Sequence, residues 1–189
     1  MALTAHITAK IWRLTAEWLC EISHECHLRP ETYFTALDIL HAALAAAPST
    51  YRVDGLFAFS KLQCLAGTSC AIACKYHEVE VINVGELVIL CDRAYPPQDF
   101  TQMERAVYEW LDFSPPFRAY QGLIHAINDP EDFYRLMAIA TCVEMRDIPI
   151  MEWPNLLIDP PEWVEKYHAD YTTLTPGVVK VFKKESIVW

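Results

Sequence analysis

The chain has 189 residues, room for one domain or for one domain and a fragment. Just over half of its residues are hydrophobic, only five are glycine, and its formal charge is -10. That composition supplies a real core and argues against a glycine-rich, loop-rich or β-rich fold. The acidic balance excludes nucleic acid as a natural partner, because a phosphate backbone needs a basic face.

Lys180, Lys183 and Lys184 form a small basic cluster near the end, read as a solvated tail. Seven cysteines are an odd number and suit a reducing compartment, where buried thiols act as small hydrophobes. No charged-then-apolar signal opens the chain. A membrane span takes roughly 20 apolar residues. The longest uncharged stretch is shorter and carries Gln, Thr and Ser. The expectation is a nuclear or cytoplasmic protein with no membrane partner.

Helices are predicted throughout. Ile11, Leu14, Trp18, Leu19 and Ile22 recur at helical spacing, giving a helix over roughly residues 8–26. Pro30 opens a second, with Glu31 in its first turn, where the helix dipole favours an anion. Tyr33, Leu37, Leu40 and Leu44 form its stripe, and Pro48 ends it. Residues 48–60 read as a connector without a period. A third helix spans roughly residues 59–77, with Gly67 at its middle. That glycine costs about 1 kcal/mol relative to Ala, so another backbone is expected to pass close by.

Asn83 and Glu86 form a capping box opening a short fourth helix that runs to about Cys91. A fifth covers Gln98 to Asp112, with Met103, Val107, Trp110 and Leu111 as its stripe. Pro115 and Pro116 end it and start a helix near 116–127. Asp129-Pro130-Glu131 caps another through about Arg146, with Phe133, Leu136, Met137, Ala140 and Val143 inside. Beyond residue 148 repeated prolines break the pattern, leaving a short helix over about 161–170 and extended segments at 178–182 and 187–189.

The third helix is the most informative. No charged residue interrupts Leu62 to Cys74; then Lys75-Tyr76-His77-Glu78 follows at once. A charge-free helix of small residues must be wrapped by its neighbours on nearly every side. Lys75 stands where such a helix emerges, which describes a docking surface better than a catalytic pocket. Cys70-x3-Cys74-x2-His77 and His24-x-Cys26-His27 offer metal ligands, but structural zinc sites pair short knuckles from loops. Packing explains these cysteines better. No base can be placed beside a cysteine nucleophile, so no enzymatic activity and no cofactor are expected. Ala140-Thr-Cys-Val-Glu144 is similar to the LxCxE pocket-binding peptide but has Ala for the leading Leu, and is read as ordinary helix.

Four ordered segments resemble the cyclin box. Glu17-Trp-Leu-Cys-Glu-Ile22 is similar to its first helix, usually DWL-x-EV, and Leu28-Arg-Pro-Glu-Thr-Tyr-Phe-Thr-Ala-Leu to the start of its second. Lys61-Leu-Gln-Cys-Leu-Ala-Gly-Thr with Ile72-Ala-Cys-Lys-Tyr-His-Glu resembles the third, usually KLQLVG…IASKYEE. Gln102-Met-Glu-Arg-Ala-Val-Tyr-Glu-Trp-Leu-Asp-Phe113 resembles the fifth. The likeness covers about residues 8–120. It implies an all-α fold, a five-helix cyclin box over 1–114. Residues 115–148 resemble the start of a second box that lacks its buried third helix, and a proline-rich segment occupies 149–189. A single-box or virus-encoded divergent cyclin fits this pattern.

The resemblance implies a regulatory subunit that binds and activates a cyclin-dependent protein kinase. The alternative is a cyclin-box adaptor, or a transcription-type protein, that binds partners without activating a kinase. By motif the kinase-binding residues are Lys75 and Glu104, with Ile72, Tyr76, Tyr108 and Phe113 around them. Ile72, Lys75 and Tyr76 stand at i, i+3 and i+4 and are expected on one face. A second family site, a groove docking peptides of kinase substrates or inhibitors, maps to Ile11, Thr15, Trp18, Glu21 and Gln63. Thr15 replaces a large apolar residue, which makes a shallower and wetter groove. The family's internal Arg–Asp pair is expected to be lost or rebuilt, with Trp12 at the Arg position, Arg13 beside it, and His41 at the Asp position.

Overall fold

The structure is a computed structural model that describes residues 6–116. Helices expected beyond residue 116, the extended C-terminal segments, the Ala140–Glu144 motif and the lysine cluster all lie outside the described residues. Within them five α-helices carry the fold: α1 (Ala9–Glu25), α2 (Pro30–Ala46), α3 (Phe59–His77), α4 (Val84–Leu90) and α5 (Pro97–Trp110). This is the all-α, five-helix arrangement the sequence predicts.

Helix α3 is the axis. Every residue from Cys64 to Cys74 is buried, and the chain becomes exposed only at Lys75 and Tyr76. Helix α2 packs along it and is nearly as enclosed, with Thr32 to Leu40 all buried. The expected single stripe on α2 is therefore too narrow. Between Thr32 and Leu40 only Asp38 carries charge, so α2 too can be covered on most sides. Phe34, Leu37, Leu40, Leu65 and Ile72 are fully buried. Each such side chain contributes about 1.5–3 kcal/mol by leaving water.

Gly67 meets side chains rather than another backbone. A Cβ there would lie 3.6 Å from Trp18 Cη2 on α1, 3.6 Å from Leu87 Cδ2 on α4 and 3.7 Å from Cys91 Sγ. Three neighbours converge on one point of α3, and the glycine leaves them ordinary van der Waals room.

Residues 48–60 are not featureless. A 3-10 turn (Ser49–Tyr51) leads into β1 (Arg52–Val53), which pairs antiparallel with β2 (Leu56–Phe57). The turn is Asp54-Gly55, with φ 51° and 84°, the double positive φ that a two-residue hairpin needs. From this hairpin the Arg52 guanidinium reaches back to the end of α2. It donates to the carbonyls of Leu44 (2.7 Å) and Ala47 (3.2 Å) and to His6 Nδ1 (3.1 Å). Helix α2 has no basic residue in its last turn, so Arg52 supplies the cation its terminal carbonyls favour.

Helix α4 opens on the expected capping box. Asn83 Oδ1 accepts from Glu86 N at 3.1 Å, and Glu86 Oε2 accepts from Asn83 N at 2.8 Å. Helix α5 buries Phe100, Met103 and Val107, while Trp110 sits edge-on to Tyr51 with ring centroids 4.7 Å apart. Where the family pairs Arg with Asp, Trp12 is fully buried and its ring lies 6.4 Å from that of His41. The two positions still face each other, with an aromatic contact in place of the ion pair.

Candidate functional site

Helix α3 ends beside the middle of α5, and there Lys75 Nζ forms an ion pair with Glu104 Oε1. The two motif residues thus meet on one surface. Their side chains keep 42% and 28% of their exposure, so both charges remain reachable from solvent. Next to them Tyr108 adjoins Tyr76; burial, then the neighbouring Tyr76 hydroxyl, pushes the Tyr108 pKa up. Tyr108 in turn stacks on Phe113, with ring planes 13° apart and centroids 6.2 Å apart. Tyr76 is 51% and Phe113 74% exposed. The result is a continuous strip across α3 and α5: cation, anion, two tyrosines and a phenylalanine.

Phe113 reaches this strip through an unusual backbone. Asp112 and Phe113 have φ of 49° and 53°, and Phe113 N donates to Tyr108 O at 2.8 Å. A bulky residue in the left-handed region costs about 1 kcal/mol or more. Here it turns the chain at the end of α5 and leaves the ring outside. Ile72, in contrast, does not belong to the strip. It is fully buried in the core, because α3 stays enclosed through Cys74 and emerges one turn later than the i, i+3, i+4 spacing implied.

Immediately after Lys75 the chain is tied to the start of α2. Glu78 Oε1 accepts from Arg29 N at 2.7 Å and from the Thr32 hydroxyl. The His77 ring Nε2 meets Thr35 Oγ1 at 2.9 Å, and the His77 carbonyl accepts from Arg29 Nη1 at 3.5 Å. Arg29 is the N-cap of α2 and offers no side-chain cap of its own. A carboxylate from elsewhere in the chain accepts from the N–H of the N-cap residue instead, beside a helix start whose dipole favours an anion. Motif reasoning passed over Glu78. The signal was an acid closing the basic end of α3, opposite a helix that begins Arg-Pro with no Ser, Thr, Asp or Asn before it.

The groove residues are only partly assembled. His6 O accepts from Phe57 N at 2.8 Å and Trp18 lies against Gly67, so α1 and α3 run side by side in the same direction. That sets Ile11 and Leu14 about level with the first turns of α3. Ile11, Trp18 and Gln63 are part-exposed, and Glu21 is exposed. Partial burial, then Glu25 and Glu17, raise the Glu21 carboxyl pKa. Thr15 is not a groove wall: it is buried and its hydroxyl donates to Ile11 O at 2.8 Å within α1. Leu14 (54% exposed) and Phe59 (73%) are the larger apolar surfaces here. Both were legible as i−4 neighbours of Trp18 and Gln63.

The described cysteines are buried, apart from the half-buried Cys26. Burial pushes Cys64 up to about 11 and Cys91 up to about 12. Cys70 and Cys74 adjoin one turn apart, and the contact with burial holds the Cys70 thiol well above its ordinary pKa, while His77 is engaged with Thr35. Among the described residues no group of His, Cys, Asp or Glu is placed to hold a metal ion. No described helix is long and apolar enough to cross a membrane.

Residues 1–114 match the family model described as "Cyclin, N-terminal domain". Cyclin-B2-2 of Oryza sativa subsp. indica is 34% identical over 107 residues, 57% of this chain and 24% of that protein. A G2/mitotic-specific cyclin-B of Patella vulgata is 32% identical over 108 residues, 57% of this chain and 24% of that protein. G2/mitotic-specific cyclin C13-1 of Daucus carota is 29% identical over 133 residues, 69% and 37% of the two chains. The matches thus span about a quarter to a third of the length of these curated relatives.

Proposed function

The chain belongs to the cyclin family through its N-terminal domain, and from that premise we propose that it binds a cyclin-dependent protein kinase and holds it in the active state. The supporting observation is the strip of Lys75, Glu104, Tyr76, Tyr108 and Phe113, in which opposite charges and exposed aromatic rings adjoin. Such a surface suits a partner helix whose backbone ends need one cation and one anion while its side chains bury rings. The relatives named as G2/mitotic-specific cyclins support a kinase of cell division as the partner; the nucleus, the cytoplasm or both is our proposed place of action.

Activation is a shift of population. A protein kinase works only when its own Lys–Glu ion pair forms, and a mobile helix carries that Glu. A subunit that binds only the inward position of this helix makes the competent state dominant. Moving that equilibrium from 1:99 to 99:1 takes about 5.5 kcal/mol of differential binding. An interface of roughly 2,000 Å² or more supplies energy on that scale. All bond-making then occurs in the kinase, and this chain is not an enzyme.

The groove beside α1 and α3 is a second proposed contact, for peptides of kinase substrates or inhibitors. The adaptor reading differs in one respect: binding without activation. The loss of the internal Arg–Asp pair to Trp12 and His41 is the feature that keeps it in play. Co-purification with a panel of cyclin-dependent kinases, followed by a phosphorylation assay, separates the two. Activation predicts capture and a rise in turnover of a hundredfold or more. Capture with unchanged turnover indicates an adaptor, and no capture refutes kinase binding.

A further inference from the structure

We propose that Glu78 is a positioning residue for Lys75, acting through a latch to α2 that holds the end of α3 at the angle binding requires. This rests on the kinase-docking reading above. Three bonds make the latch: Arg29 N and the Thr32 hydroxyl to Glu78, and His77 to Thr35. All fall within three residues of Lys75, at the point where α3 leaves the core. On the other side Lys75 is held by Glu104 on α5. The ammonium is thus fixed between two elements, one through its own ion pair and one through the backbone that follows it.

The latch is well placed to be tested, because its two threonines on α2 cannot touch a partner. Thr32 is fully buried and Thr35 is 4% exposed. A loss of kinase binding on changing Thr32 has to pass through Glu78 or through the fold. Removing the hydroxyl also leaves part of the Glu78 carboxylate unsatisfied, which frees the turn after α3. Preorganisation lost in this way appears as affinity, since the partner must now order the segment itself.

The experiment measures affinity of the full chain for a purified mitotic cyclin-dependent kinase catalytic subunit by calorimetry, with thermal unfolding of every variant as the control. Thr32→Val and Glu78→Gln are each expected to weaken binding about tenfold, and Thr32→Ser, which keeps the donor, to bind within twofold of the parent. In a Lys75→Ala background Thr32→Val should cause no further loss, because it acts through Lys75. Full additivity in that background, or unchanged binding by both single variants with Lys75→Ala impaired, overturns the latch and leaves kinase docking intact. If Lys75→Ala itself binds like the parent, the docking reading falls and the latch proposal with it. Should Thr32→Val prove too unstable to measure, Glu78→Gln carries the same cycle with Lys75→Ala.

Discussion

Exchanging the two charges of the strip separates what Lys75 and Glu104 do for the fold from what they do for a partner. With their side chains 42% and 28% exposed, the ion pair is a surface pair. Such pairs contribute about 0–1 kcal/mol, so Lys75→Ala or Glu104→Ala should barely move thermal unfolding. In an interface the same substitutions strand a partner group in a dry contact, at about 2–5 kcal/mol. At 1.4 kcal/mol per decade that is a loss of affinity of about 30-fold to several thousandfold. The double variant Lys75→Glu with Glu104→Lys restores the ion pair within the chain. Its stability should return to that of the parent, while kinase affinity stays as poor as in the single variants or becomes worse. Calorimetric titration of the kinase and unfolding of the free chain give the two readouts. A swap that recovered binding along with stability would show that the pair only clamps α3 to α5. Parent-like binding by both alanine variants would remove the pair from the interface altogether.

Gly67 gives a test of packing. Ala fits, with contacts of 3.6–3.7 Å, and gains up to about 1 kcal/mol of helix propensity. Leu overfills the meeting point of Trp18, Leu87 and Cys91 and should destabilise by about 1–3 kcal/mol. Equal melting of the two variants would mean that α3 is not enclosed there. Arg52→Ala removes the cation from the end of α2 and should cost about 1.5–3 kcal/mol in chemical denaturation; a loss below 0.5 kcal/mol would make the cap dispensable. Burial, then the Arg52 charge and His41, hold the pKa of His6 below the ordinary value near 6.5. The unfolded chain therefore takes up that proton first. Stability from His6 is complete above about pH 6.5 and declines as pH falls below it. His6→Asn should flatten that decline in unfolding measured between pH 7 and pH 5, and an unchanged slope would show that His6 does not titrate differently on folding.

Much of this fold was legible because its signals are strong and local. The charge-free run from Leu62 to Cys74 marks the central helix, and its observed span, Phe59–His77, is the predicted one. Prolines and the Asn83–Glu86 box mark the other ends to within one or two residues. The hairpin at 52–57 was missed although Asp54-Gly55 is a strong turn signal, because two-residue strands show no alternation. Ile72 was misplaced for a different reason. Helical spacing says which residues share a side of α3 but not how far along the helix its neighbours continue to cover it. The latch at Glu78 joins residues 46 and 49 positions apart, and the cap from Arg52 depends on the hairpin that returns the chain to the end of α2. Nothing in local pattern announces such pairs; only the packed fold brings them together.

Hydrogen exchange of the chain, free and with a mitotic cyclin-dependent kinase, tests the docking claim most directly. Added protection is expected in two segments at once, the end of α3 with the turn after it and the second half of α5 through Phe113. Protection elsewhere with both of those segments unchanged would contradict docking through Lys75 and Glu104.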